Sequence, residues 1–311
     1  MTDRDAGAVR VDSDSAASTR PSLLRDVIRL MRPSHWLKNA FVFIPLIYSK
    51  ELFDQERLLL SVRAFLAFCL ISSTVYILND IADRRADAEH PQKRRRPIAS
   101  GRITVPRAVM LMGIVAALGA ILTATLPWQA GVLIGLYLLL NLGYSFGLKH
   151  VVLLDIFIIA AGFMLRVLVG GYAIAVPISS WLVVCTLFLS LFLGVAKRRS
   201  EINNLERGAT RKVLDDYTPE LVRTIMIVSV AGSIMSYTLY TMDAHVVENF
   251  GTDKLIYTVP IVMYGMFRYL YLDEKKRTAE NPVAVVARDP SLIATALAWI
   301  GVSLLIIYSG L

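Results

Sequence analysis

The chain has 311 residues, 55% of them hydrophobic and only 19% charged, with a mean hydropathy of +0.55. That charge content lies below the roughly 25% of a soluble domain, and the apolar residues gather in blocks about 20 long, the length that crosses a bilayer. A soluble domain is excluded, an all-α integral membrane protein is predicted, and the net charge of +8 is no argument for nucleic acid, because no basic stretch carries interleaved aromatics for base stacking.

In chain order, residues 1–22 are Ser, Asp, Ala, Thr and Arg without an apolar core. They read as a disordered tail rather than a signal peptide. In SLLRDVIRLMR (22–32), Arg25, Arg29 and Arg32 share one helical face and Leu24, Val27, Ile28 and Met31 the other. This fits a helix lying on an anionic leaflet, or the frayed start of the first span. Nine spans follow, near 35–52, 58–79, 106–126, 128–147, 151–173, 179–196, 221–241, 255–272 and 291–310. The first is the weakest, with Lys38 and Asn39 near its start and Pro45 inside; a bundle tolerates these where neighbours satisfy the freed groups. Cys69 and Cys185 lie inside apolar spans and read as buried thiols. Residues 23–311 form one transmembrane unit.

With nine spans, the tail and the loops near 80–107, 148–150, 197–223 and 273–290 share a side, and most of the 33 Lys and Arg fall there. The positive-inside rule assigns that side to the cytoplasm, so the basic excess is mainly a topology signal.

The stretch ILNDIADRRADAEHPQKRRRPIASG (77–101) breaks the apolar pattern. If the second helix continues, Asp80, Asp83 and Asp87 fall at i, i+3 and i+7 on one face. Such a face is costly without a cation. Hard oxygen ligands suit Mg²⁺, which binds through one or two carboxylates plus substrate phosphates, and Asn79 adds a neutral oxygen. Lys93, Arg94, Arg95 and Arg96 come next. Arginine grips phosphate with a planar fork and lysine supplies a point charge. Acids for Mg²⁺ followed by bases for phosphate oxygens are the makeup of a diphosphate site. A topology loop alone would explain the bases and not the acids. GRITVPRAV then restarts a helix, with Thr104 as N-cap and Pro106 in the first turn.

NDIADRRAD matches every position of the N-D-x-x-D-x-x-x-D signature, and the chain is identified by it as resembling the UbiA superfamily of membrane prenyltransferases. RPSHWLKNAFVFIPL, the run up to PIASG, YSFGLKHVVLLDIFIIAAGFMLR (144–166), GVAKRRSEI (194–202) and RKVLDDYTPEL (211–221) are similar to one branch, the decaprenyl-phosphate phosphoribosyltransferases. The similarity runs from about residue 26 to the C-terminus. It implies nine transmembrane helices around a central cavity, open to the cytoplasmic side. Prenyl-diphosphate users of the family carry a second aspartate-rich motif after the sixth span; here AKRRSEINNLE puts Lys197, Arg198 and Arg199 where acids are expected. A base-rich second face suits more phosphate groups, or else is another positive-inside cluster.

The resemblance implies transfer of 5-phosphoribose from phosphoribosyl pyrophosphate to a polyprenyl phosphate, with release of pyrophosphate. Asp80, Asp83 and Asp87, with Asn79, are assigned to Mg²⁺ and diphosphate, and Lys93, Arg96, Lys197 and Arg198 to phosphates. Tyr144 and Lys149 at the membrane surface, Asp155 at the start of the fifth span, and Lys38 and Asn39 complete the candidate substrate set. Arg166, three turns beyond Asp155 on the same face, and Arg268 are weighed against helix pairing and snorkelling. Two rivals remain: prenyl transfer from a prenyl diphosphate to an aromatic acceptor, which would favour aspartate clusters in both loops, and transport of a phosphorylated or lipid-linked solute, which would favour repeated halves.

Overall fold

The computed structural model describes residues 23–91, 93–203, 216–276 and 282–309. The tail expected over 1–22 lies outside them. Every regular element among the described residues is helical. In order the α-helices, with the 3-10 stretch that opens the first span, are α1 (Leu23–Met31), a 3-10 helix (Pro33–Phe43) running into α2 (Ile44–Tyr48), α3 (Gln55–Ala82), α4 (Arg84–Glu89), α5 (Val105–Ala124), α6 (Trp128–Phe146) and α7 (Leu154–Ala173). Then come α8 (Ser180–Asn203), α9 (Pro219–Met242), α10 (Ala244–Phe250), α11 (Val259–Lys276), α12 (Pro282–Arg288) and α13 (Pro290–Ser309).

Eight of these helices are long and apolar enough to cross a membrane. The first expected span is different: it is the composite 33–48, mostly 3-10. At about 2.0 Å per 3-10 residue and 1.5 Å per α residue it still reaches roughly 30 Å, a hydrocarbon core's thickness. Three residues per turn align i and i+3, so Trp36, Asn39, Val42 and Pro45 form one inward stripe. Trp36 Nε1 donates to Ser73 Oγ at 3.0 Å, Asn39 Nδ2 donates to Ser72 Oγ at 3.2 Å, and Val42 is fully buried. A Cβ on Gly170 of α7 would stand 2.1 Å from Val42 O, so only glycine admits this backbone contact.

The apolar side chains divide by position. Phe68, Val75, Tyr137 and Val169 share one buried cluster of α3, α6 and α7; Phe192, Val195, Met226 and Tyr269 share another of α8, α9 and α11. Met110, Ile121, Val132, Leu139, Met235 and Leu297 point outward and are more than half exposed. In water that surface would be costly; in lipid it is the expected lining. At the end away from the aspartates, Tyr308 Oη of α13 donates to Ile47 O at 3.1 Å, joining the last helix to the first span. Helix α3 is capped by Asp54, whose side chain accepts from Arg57 N–H. Its 28 residues reach about 42 Å, so its last turns, with Asn79 and Asp80, extend past a hydrocarbon core.

Candidate active site

Helix α3 stops at Ala82, because Asp83 leaves helical geometry (ψ 7°) while its N–H still bonds Asn79 O. The chain then turns into α4, which carries Asp87. The expected continuous acidic face is therefore split at Asp83. Asp80 and Asp87 nevertheless meet: Arg96 Nη1 lies 3.0 Å from Asp80 Oδ1 and 2.6 Å from Asp87 Oδ2. Both carboxylates are almost wholly enclosed. Asp83 faces elsewhere, to Lys149 Nζ at 3.1 Å, and keeps 38% of its side chain exposed. Asn79 Oδ1 accepts from the Ser145 hydroxyl of α6.

Arg32 also holds Asp80, with Nη2 at 2.5 Å from Oδ1, and its guanidinium lies over the Tyr76 ring at 5.2 Å. Sequence reasoning placed Arg32 on the face of an interfacial helix and gave it no site role. The available signal was its position just before Pro33. There it adopts the left-handed conformation (φ 52°) and turns the chain into the first span.

A second constellation lies where α6, α7, α8 and α9 meet. Arg198 is fully enclosed. Its Nε lies 2.5 Å from Asp155 Oδ2, its Nη2 donates to Tyr144 Oη at 3.0 Å, and Nη1 is bonded to Glu201. Tyr217 donates to Asp155 Oδ1 at 2.6 Å and accepts from Leu153 N–H at 2.8 Å. Burial and this donation to a carboxylate both push the Tyr217 phenol above its usual pKa. Lys197 is more open and pairs with Glu201 at 3.8 Å. Arg199 turns away to Asp273 and Glu274 of α11, at 2.8 and 3.2 Å.

Asp155 and Arg198 pair with one another, and both are enclosed by protein. Asn39 is enclosed too, donating to Cys69 Sγ and Ser72 Oγ and accepting from Arg166 Nε at 2.8 Å. Arg166 itself sits among the Phe68, Tyr137 and Phe163 rings at 4.9–5.2 Å. It joins the first span to α3, α6 and α7 without a carboxylate partner among the contacts described. Lys38 shares its surroundings with two other cations, Lys197 and Arg166. Arg268, weighed as a snorkelling residue, is paired with Asp289 at 2.9 Å. Lys93 begins the short 3-10 turn Lys93–Arg95, just before Arg96.

No three His, Cys, Asp or Glu side chains among the described residues are grouped to hold a metal ion. The pair Asp80 and Asp87 still fits Mg²⁺. Two carboxylates converge on one cationic nitrogen, and two carboxylates plus substrate phosphates are a usual magnesium donor set.

The UbiA prenyltransferase family model matches residues 45–287. A decaprenyl-phosphate phosphoribosyltransferase of Mycolicibacterium smegmatis is 31% identical, covering 96% of this chain and 97% of its own. One of Corynebacterium glutamicum is 35% identical, covering 95% and 91%. Among solved structures, a UbiA homolog from Archaeoglobus fulgidus bound to DMAPP and Mg²⁺ superposes with a TM-score of 0.70 at 16% identity, over 91% of this chain and 99% of that one. A multi-helix membrane bundle with paired acidic and basic side chains at one end, matched by that family model over most of its length, belongs to the UbiA prenyltransferase family.

Proposed function

We propose that the protein transfers 5-phosphoribose from phosphoribosyl pyrophosphate to a polyprenyl phosphate and releases pyrophosphate. The observation that carries the reading is the charge pattern of the polar end. Arg32, Arg96 and Lys149 stand against the aspartates, and the second face carries Lys197, beside Glu201, where a prenyl-diphosphate user would carry acids. A donor with a diphosphate and a 5-phosphate, with an acceptor that is itself a phosphate, needs that many cations. Relatives bearing the phosphoribosyltransferase name over nearly their whole length support the same reading.

In this reading Asp80 and Asp87 hold Mg²⁺, with Asp83 and Asn79 at the rim. The ion would neutralise charge developing on the pyrophosphate leaving group. Arg96, which bridges the two carboxylates, would offer its planar fork to donor phosphate. Lys93 and Lys149 add point charges on the diphosphate side. Lys197 and Lys38, with the Tyr144 hydroxyl, face the acceptor. Asn39, Asp155 and Arg198 hold these groups in place. The acceptor phosphate is already anionic near neutral pH, so it needs positioning more than deprotonation. The prenyl tail lies among apolar helix faces. The site would face the cytoplasm, a reading that the excess of Lys and Arg in its loops supports.

The test is incubation of membranes with radiolabelled phosphoribosyl pyrophosphate and a polyprenyl phosphate. Label entering the lipid phase only when protein, Mg²⁺ and both substrates are present is the expected result. Prenyl transfer from a prenyl diphosphate to an aromatic acid, or uptake of label without a new bond, would replace this reading with one of its rivals.

A further inference from the structure

Leu153 has φ 68° and ψ −42°. That is a rare conformation for a residue with a Cβ, and it persists only where its surroundings hold it. It ends the 147–153 connection between α6 and α7, whose single 3-10 turn, Leu148–His150, carries Lys149. Lys149 in turn reaches Asp83 at 3.1 Å. Its carbonyl accepts from the Ile156 and Phe157 N–H groups of α7, and its own N–H is held by one side chain: it donates to Tyr217 Oη at 2.8 Å, while the same hydroxyl donates to Asp155 Oδ1 at 2.6 Å.

Tyr217 is itself fixed. It is 3% exposed and packs in one core cluster with Val222. It immediately precedes the Thr218 N-cap of α9, so Tyr217 and Val222 form the hydrophobic staple of that helix. The Asp155 carboxylate is fixed by Arg198 at 2.5 Å. The hydroxyl therefore has a rigid acceptor on one side and a strained donor on the other.

We propose that Tyr217 is a positioning residue, clamping the turn at Leu153 to Asp155 so that the 147–153 connection presents Lys149 at the rim of the site. This rests on the phosphoribosyl-transfer reading for its catalytic consequence only; the clamp itself does not. A core tyrosine at a helix start would need only its ring. The clamp needs the oxygen, which accepts one bond and donates the other. It also couples the second polar loop, which returns at Tyr217, to the first, which carries Asp83.

Tyr217→Phe keeps the ring and removes the oxygen. In purified full-length protein in detergent, residue-resolved hydrogen exchange should show the Leu153 amide exchanging roughly 5–10-fold faster, the loss of one hydrogen bond, with α3 and α9 unchanged. Phosphoribosyl transfer should fall roughly 10-fold or more in kcat, because small misplacements of a positioned group are costly. Adding Leu153→Gly should recover most of the rate, since glycine adopts this φ without a clamp. Unchanged exchange at Leu153 overturns the clamp. Faster exchange with wild-type kinetics reduces Tyr217 to a structural role and overturns positioning. Failure of Leu153→Gly to restore any activity overturns the part assigned to strain. The exchange arm uses no substrate, so it decides the clamp even if the wild-type protein transfers no phosphoribose.

Discussion

The Nε atom of Arg198 lies 2.5 Å from an Asp155 carboxylate oxygen, with neither side chain exposed. Breaking a buried pair from one side leaves a bare charge and costs about 3–5 kcal/mol, whereas replacing both partners by apolar residues of similar volume is often neutral. Arg198→Met, which strands Asp155, should lower the melting temperature in detergent sharply, and Asp155→Leu less so, because Arg198 keeps Glu201; the double variant should recover part of the loss. Arg198→Lys keeps the charge but loses the planar fork shared among Asp155, Glu201 and Tyr144. It should insert normally and transfer roughly 10–100-fold more slowly, as a disturbed supporting shell does. Wild-type kinetics in Arg198→Lys would return the residue to a topology role.

Asp83 is the most exposed of the three aspartates, and its partner Lys149 approaches at 3.1 Å. Exposed pairs contribute about 0–1 kcal/mol, so Asp83→Asn should barely change thermal stability. Turnover should fall by roughly 10–100-fold, the range for groups that support a metal site. Near-normal activity would remove Asp83 from the chemistry.

Arg96 and Mg²⁺ would compete for the Asp80 and Asp87 carboxylates, now 3.0 and 2.6 Å from one guanidinium nitrogen. Arg96→Gln should therefore lower the Mg²⁺ concentration needed for half-maximal rate. It should also raise the donor KM by roughly 10-fold or more, the loss of a charge-assisted bond. Magnesium titrations at fixed donor, then donor titrations at saturating magnesium, separate the two effects. An unchanged Mg²⁺ requirement would mean that the arginine and the ion do not share these ligands.

Ser100 and Glu248 are exposed at opposite ends of the bundle. In intact cells an impermeant maleimide should label Glu248→Cys and spare Ser100→Cys until the membrane is opened. The reverse pattern would invert the topology and carry the site outside with it.

Gly170→Ala would place a methyl group 2.1 Å from Val42 O. Backbone cannot yield there as a flexible side chain would, so the first span must shift outward. The variant should unfold at lower temperature and lose activity together, whereas Gly113→Ala, with nothing near its added carbon, should be silent. A stable Gly170→Ala protein would show that the first span can move.

Much of the fold was legible because hydropathy reports burial directly. Thr104 sits at the N-cap of α5 and Pro106 in its first turn, although the Thr104 side chain makes no capping bond, and the acid-then-base order of 80–96 marked the polar end. The first span read weakly because Lys38, Asn39 and Pro45 interrupt its apolar run, and its 3-10 winding aligns residues three apart, which an α-helical pattern does not anticipate. Asp83 was read into a continuous helix because the spacing 80, 83, 87 carries no sign of a break. Arg32 and Tyr217 escaped for another reason. Their partners Asp80 and Asp155 lie 48 and 62 residues away along the chain, and no local pattern encodes a meeting made by packing. For the same cause Arg198 read as a free cation, although its acceptors Tyr144 and Asp155 come from other helices.

The 3-10 winding of Pro33–Phe43 makes the first span a ruler. Wound as α-helix, those eleven residues would be about 5 Å shorter. One end is tied by Tyr308 to Ile47, and at the other Arg32 is tied to Asp80. A shorter rod could not satisfy both ties. The axial length of one irregular segment thus sets the height at which an arginine meets the aspartates, and couples the far end of the bundle mechanically to the end that carries the site.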